Sequence, residues 1–260
     1  MKTILLGGIL AFSAAAQAPT EPAPILQLIR RPGVVIAPIR PYANAGAVVD
    51  ALGMVSITGL PEAWQIELHQ SFAGIEDLDK AVGPTAPAGT FNVPSEASQD
   101  DPLALSRTLI AFYRPNWSYR ADQAIRTFPR AHYFHITIYR VRPDAENDLG
   151  ELVKLRRLSA DSVNLDRPDL AYQVISGAPS GTFIFLAPLT SLRTMDEGVA
   201  ETPVYAEATA AARAKTASKV SADGEISREH LLFRVEPRMS HVSDDFAEAD
   251  RQFWRPKPNE

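Results

Sequence analysis

Two stretches of alternating sequence carry side chains that could do acid–base chemistry. Glu67 and His69 alternate with apolar neighbours in residues 63–69, and His135 does the same in residues 132–141. Successive side chains of a β-strand point to opposite faces, so each polar set shares one face of its strand. A carboxylate beside two imidazoles can transfer protons near neutral pH. The same groups could also ligate a metal, or simply satisfy each other's hydrogen bonds.

An internal repeat indicates how these stretches are positioned. Residues 170–187 have the pattern of two strands joined by a tight turn, and Gly177-x-Pro179 within them matches Gly59-x-Pro61 in the first stretch. Further matches follow in the same order: Arg31-Pro32 with Arg142-Pro143, Leu78-Asp79 with Met195-Asp196, and Pro115-x-x-Ser118 with Pro237-x-x-Ser240. The common order predicts two copies of a β-α-β-β-α-β unit.

Hydrophobic periodicity predicts the individual elements. The predicted strands are residues 25–30, 54–58, 63–69, 108–113, 132–141, two within 170–187, and 229–235. The predicted helices are residues 72–82, 149–156, 189–199 and an Ala-rich segment at 202–218. Residues 83–101 and 121–130 have the composition of a loop and a linker.

Composition limits the classes of function. The net charge of −5 over 260 residues argues against a nucleic-acid partner. The absence of cysteine excludes disulfides and thiolate sites. Lys2, the apolar run Ile4–Phe12 and Ala14-x-Ala16 predict a signal peptide at residues 1–16 and export, to the periplasm or as a secreted protein. After its removal no stretch is apolar and long enough to span a membrane.

Three phrases carry a resemblance to a known family: Tyr139-Arg-Val-Arg-Pro143, Tyr172-Gln-Val-Ile-Ser-Gly-Ala-Pro179 and Ser71-Phe-Ala-Gly-Ile-Glu-Asp-Leu-Asp-Lys80. They resemble the dimeric α/β-barrel (ferredoxin-like) superfamily, in particular NIPSNAP-like proteins and exported bacterial proteins of unknown function. The resemblance implies an α+β fold of two tandem ferredoxin-like (βαββαβ) halves that form an intramolecular pseudo-dimeric α/β barrel. The expected domains are a signal peptide at 1–16, halves at 17–127 and 128–242, and a C-terminal tail at 243–260.

The resemblance also implies where a ligand would bind. In this superfamily one face of each sheet packs on helices and the other closes against a partner sheet. The match of Ile66 and Leu68 with Ile184 and Leu186 assigns these residues to the helix side, together with Phe134, Ile136 and Ile138. The candidate ligand-binding residues then face the space between the sheets: Glu67, His69, Tyr113, His135, Tyr139, Phe183 and Phe185.

Three functions fit this expectation. The first is binding of a small molecule in the inter-sheet cavity. The second is a cofactor-independent monooxygenase-like enzyme that uses the same cavity, and the third is a structural or interaction module with a filled core. The sequence leaves open whether the protein is an enzyme. We expect no cofactor, no metal and no nucleic-acid partner, a monomer or homodimer, and surface positions for His230 and His241.

Overall fold

The computed structural model describes residues 21–33, 50–71, 107–200 and 224–256, together with residues 210, 211, 214, 215 and 218. The predicted signal peptide, the predicted helix at 72–82 and the loop at 83–101 lie outside the described residues, as does most of segment 202–218. Within the described part of the chain, no helix is long and apolar enough to cross a membrane.

Eight antiparallel strands form a closed barrel. They are β1 Ile25–Pro32, β2 Ala51–Ser56, β3 Glu62–His69, β4 Arg107–Tyr113, β5 Tyr133–Val141, β6 Leu170–Ser176, β7 Thr182–Leu189 and β8 Glu225–Val235. Their order around the barrel is β1-β3-β2-β8-β5-β7-β6-β4, and β4 pairs with β1 to close it. This confirms a mixed α/β fold built on a barrel.

The strand order repeats with an offset of four strands. One quartet runs β4-β1-β3-β2 and the other β8-β5-β7-β6, joined by pairing of β2 with β8 and of β4 with β6. The predicted hairpin of strands 54–58 and 63–69 is confirmed, since Val55 pairs with Ala63. Gly59 and Gly177 have nearly the same positive φ, 86° and 84°, a conformation that glycine adopts without strain.

Large apolar side chains fill the barrel. Every strand contributes alternate residues to one buried cluster, which includes Leu26, Leu28, Leu52, Met54, Trp64, Ile66, Leu109, Ala111, Phe134, Ile136, Ile138, Tyr172, Ile184, Leu186, Phe233 and Val235. In a closed barrel, residues from all eight strands can touch only in the interior. An eight-stranded barrel is just wide enough for side chains to fill it, so its centre is a packed core.

Short helices close one end of this barrel. They are α1 Ala121–Thr127, which follows β4, and α4 Asp244–Glu248 and α5 Arg251–Trp254, which follow β8. Phe246 and Trp254 join the interior cluster, and the Trp254 indole N–H donates to the carbonyl of Pro129 at 2.7 Å. The predicted linker at 121–130 is therefore largely helical, and the tail beginning at Ser243 is packed on the barrel.

One long helix packs on the outside of the barrel wall. This helix, α2 Glu146–Ser162, begins just after Pro143, and α3 Arg193–Ala200 follows β7. Leu149 and Val153 of α2 contact a cluster that contains Tyr139, Phe183 and Phe185. These three alternate along their strands with interior residues, so the cluster lies on the outer face.

Candidate functional site

The predicted alternation along the strands holds, but the two faces are reversed. Ile66 and Leu68 belong to or pack against the barrel interior, while Glu67 and His69 are on the outer face of β3. His135 is on the outer face of β5, and β2 and β8 separate the two strands in the barrel wall. The predicted convergence of Glu67, His69 and His135 between two sheets is therefore wrong. The physical reason is the narrow interior of the barrel, which is filled by the aliphatic face of each strand, so the polar face lies outside.

The other predicted residues divide between the two sides of the wall. Tyr113 packs against the interior cluster, with its ring 5.6 Å from that of Tyr172. Phe183 is buried under α2, and its ring lies 4.6 Å from that of Trp117, tilted by 32°. His135, Tyr139 and Phe185 meet at a cavity on the outer face. Whether any of these side chains binds a ligand stays a prediction.

This cavity, hereafter the outer pocket, lies between the barrel wall and α2 and has a volume of about 230 Å3. Strand residues form its floor: His135, Thr137 and Tyr139 of β5, Phe185 and Ala187 of β7, and His230 of β8. Its other walls are Arg156, Arg157 and Ala160 of α2, together with Tyr119, Leu165, Arg167 and Asp169. About half of these lining residues are aromatic or aliphatic, and most of the others carry groups that can bind or move a proton.

A buried ion pair fixes the wall nearest α2. Asp169 is 6% exposed and accepts hydrogen bonds from Arg156 Nη2 at 2.6 Å and from the Tyr119 N–H at 3.3 Å. Burial raises the pKa of Asp169, while the Arg156 guanidinium opposes that rise. Because the carboxylate has both a charge partner and a backbone donor, the pair anchors α2 to the strand end at Leu170.

His135 is held in its neutral form. Burial lowers its pKa to about 4, helped by the positive charges of His230, Arg167 and Arg156. Its ring stacks parallel to that of His230 at 5.7 Å, and burial lowers the pKa of His230 as well. Thr137 Oγ1 lies 3.1 Å from His230 Nδ1, which fixes the orientation of the second ring. At neutral pH the outer pocket therefore presents an unprotonated imidazole.

Arg167 brings a further positive charge to the outer pocket, beside Arg156 and Arg157. Its Nη2 donates to the carbonyl oxygen of Met195 at 3.3 Å and contacts the Met195 sulfur at 3.1 Å. Its Nε is buried and has no hydrogen-bond partner among the residues that the structure describes. Among the described residues no carboxylate forms an ion pair with Arg167. Burial alone lowers the pKa of this guanidinium.

Glu67 and His69 form a separate polar cluster on the first quartet. His69 Nε2 is 3.3 Å from Glu67 Oε2, and the Gln65 amide donates to the other oxygen of Glu67. The contact between His69 and Glu67 lacks hydrogen-bond geometry, so both ring nitrogens and Glu67 Oε2 have no partner, as does Nε2 of the nearby Gln27. All four side chains are at most 2% exposed. In the described parts of the chain, no group of three or more His, Cys, Asp and Glu side chains could hold a metal ion.

Sequence reasoning missed most of the outer pocket. His230 is exposed, as predicted, and it lines the outer pocket as well, whereas the sequence places Arg156 only at the end of a predicted helix. Strand parity predicts that Thr137 shares a face with His135, and both residues line the outer pocket. Arg167 and Asp169 flank Pro168 in a loop, and no periodic pattern locates loop residues in space.

Comparison with known proteins shows the fold alone. No family model and no curated protein matches the chain. An anthrone oxidase-like protein of known structure is 10% identical, with a TM-score of 0.54 over 86% of this chain and 95% of that one. A protein of Fusobacterium nucleatum provisionally classed as a monooxygenase is 9% identical, with a TM-score of 0.49 over 82% and 93%. One from Lactobacillus acidophilus, classed in the same way, is 10% identical, with a TM-score of 0.45 over 85% and 100%. The chain thus shares an α/β-barrel fold with the first of these.

Proposed function

We propose that the outer pocket binds a small aromatic molecule and that the protein is an enzyme of the oxygenase or oxidase type. The observation that carries this proposal is an unprotonated imidazole, His135, in a cavity lined mainly by aromatic, aliphatic and cationic side chains. Ligand sites are usually concave and largely apolar, with a few polar groups that fix the ligand. The outer pocket has that composition, whereas the barrel interior is filled.

The size and walls of the outer pocket favour a flat ligand. A volume of about 230 Å3 lies below the usual range for drug-sized ligands, so one to three fused rings would fill it. Phe185 meets Tyr139 edge to face at 5.6 Å, and the Arg156 guanidinium lies 4.9 Å from the centre of the same ring. A ring held in this way supplies a rigid apolar surface at low entropic cost.

The chemistry follows from His135. A neutral imidazole can remove a proton from an acidic O–H or C–H of the bound molecule. The carbanion or phenolate so formed lies beside Arg167, whose charge stabilises it. Such an electron-rich anion can reduce O2 directly; anthrone and one O2, for example, give anthraquinone and one water.

Oxygen uptake with anthrone as the probe tests this proposal. We expect the wild-type protein to form anthraquinone, seen by its absorbance, and His135→Ala to lose that activity. His241→Ala is the matched control, because His241 is exposed and lies outside the outer pocket. If anthrone binds but no oxygen is consumed, the protein binds this ligand without oxidising it. If His135→Ala is as active as wild type, His135 is not the base in this reaction.

Two further proposals concern organisation and location. We infer that the two quartets are ferredoxin-like, NIPSNAP-like halves at 17–127 and 128–242, because their strand orders are identical. We also infer export after cleavage behind Ala16, on the strength of Lys2, Ile4–Phe12 and Ala14-x-Ala16. N-terminal sequencing of protein from the native cell should begin at Gln17, and an intact Met1 would refute the cleavage.

A further inference from the structure

We propose that the ligand of the outer pocket is an organic anion, a carboxylate or a phenolate, and that Arg167 recognises its charged group. The inference rests on the proposed function of this pocket and names the class of ligand it takes. It is carried by the balance of charge in the lining and by the hydrogen bonds that Arg167 leaves unmade.

The lining of the outer pocket has an excess of positive charge. Among the lining residues that the structure describes, three carry a guanidinium group, namely Arg156, Arg157 and Arg167, and one, Asp169, carries a carboxylate. Asp169 is engaged by Arg156 at 2.6 Å. Arg157 donates to the backbone carbonyl of Asn116, a neutral acceptor. Within the described residues, the positive charge of Arg167 therefore has no counter-ion at this cavity.

Arg167 does not use all of its hydrogen-bond donors. Its two contacts are with the carbonyl and the sulfur of one residue, Met195, and both acceptors are uncharged. Its Nε is shielded from solvent and unpartnered. A guanidinium presents five donors in a planar fork that matches the two oxygens of a carboxylate. Arg167 is partly buried, and leaving a shielded donor of a charged group unpaired is costly, so the site is arranged for an acceptor that carries negative charge.

The positive charges of the outer pocket also act on His135. Arg167 and Arg156 both contribute to the low pKa of His135, so positive potential reaches the floor of the cavity. The neutral form of His135 adds no further positive charge, and its ring can accept or donate a hydrogen bond. An anion bound at Arg167 would thus have its ring over Phe185 and a neutral base beside it.

A pair of probes of nearly equal shape tests the inference. 1-Naphthoate carries a carboxylate, and 1-naphthalenemethanol replaces it with a neutral hydroxymethyl group. We expect the wild-type protein to bind 1-naphthoate about 10- to 100-fold more tightly than the alcohol, since hydrogen bonds to charged groups are the stronger ones. Arg167→Met should abolish this preference by weakening the binding of 1-naphthoate far more than that of the alcohol, and retained binding of the alcohol shows that the variant is folded.

Two further variants separate this inference from the proposed function. Arg126→Met on α1 is the matched control, because Arg126 is exposed and outside the outer pocket, and it should keep the preference. Ala187→Phe should fill the outer pocket and weaken both probes together. If the alcohol binds as well as 1-naphthoate, or Arg167→Met keeps the preference, the anion inference is overturned while the pocket stands. If neither probe binds, or Ala187→Phe leaves both affinities unchanged, the pocket fails as the ligand site and the inference fails with it.

Discussion

Protonation of His135 should destabilise the folded protein by a measurable amount. Its pKa falls from an ordinary 6.5 to about 4 in the fold. Between these values the unfolded chain binds the proton and the folded chain does not, so the contribution of His135 is complete above pH 6.5 and is lost as the pH falls to 4. Each factor of ten in proton affinity corresponds to about 1.4 kcal/mol. With allowance for the half-buried ring, the loss is about 2–3 kcal/mol.

Urea unfolding at pH 7 and pH 4.5 measures this contribution in wild type and in His135→Gln. Carboxyl groups also titrate in this interval, but they are common to both proteins and cancel in the comparison. We expect His135→Gln to lose less stability than wild type between the two pH values, by about 2 kcal/mol. NMR of the ring protons gives the pKa itself, since the chain has only 5 histidines. A ring that titrates near 6.5, or equal losses in both proteins, would refute this account of the outer pocket.

Four substitutions, one of them a control, test other parts of the fold by urea unfolding. Gly177→Ala should cost about 3 kcal/mol, because the new Cβ adds a clash to the strain of positive φ and would lie 1.9 Å from the Thr108 oxygen. Gly59→Ala is its matched control and should cost only about 1–2 kcal/mol, since its nearest neighbour is a side-chain carbon at 3.1 Å; equal losses would contradict the argument. Trp254→Phe should cost about 1–3 kcal/mol by leaving the buried Pro129 carbonyl unpaired, and no loss would mean that the C-terminal helices add nothing at the barrel end. Glu67→Gln should raise the free energy of unfolding by about 1–3 kcal/mol, because it removes a buried carboxylate with an unpartnered oxygen, and a loss of stability would show that the charge is compensated.

The parts of the fold that the sequence predicts are those fixed by local geometry. A glycine between two alternating stretches indicates a tight turn, and Gly59 and Gly177 both occupy such turns with positive φ. Alternation assigns Ile66 and Glu67 to opposite faces, as observed. The short helices α1, α4 and α5 are too brief for a helical period to be recognised, so residues 121–130 and 243–260 could not be assigned to them.

Sequence could not decide which face of the sheet is inside the barrel. Both faces of the second quartet are buried, one in the barrel interior and one under α2. Phe134 and Phe183 therefore lie on opposite faces, yet both are buried. A helix and a closed barrel select similar side chains, and only closure distinguishes them. The sequence could not predict the position of the loop residue Arg167 either, since that position depends on where α2 ends and β6 begins.

The outer pocket and the cluster at Glu67 occupy equivalent positions in the two quartets. Gln27 pairs with Glu67 as Thr137 pairs with Phe185, and Ile25 pairs with His69 as His135 pairs with Ala187. The backbone of the wall is therefore the same at both places, and the side chains decide what each can do. Where the second quartet has the methyl group of Ala187, the first has the imidazole of His69. A ring at that point closes the space against the wall, whereas a methyl group leaves it open for a ligand's ring beside Phe185.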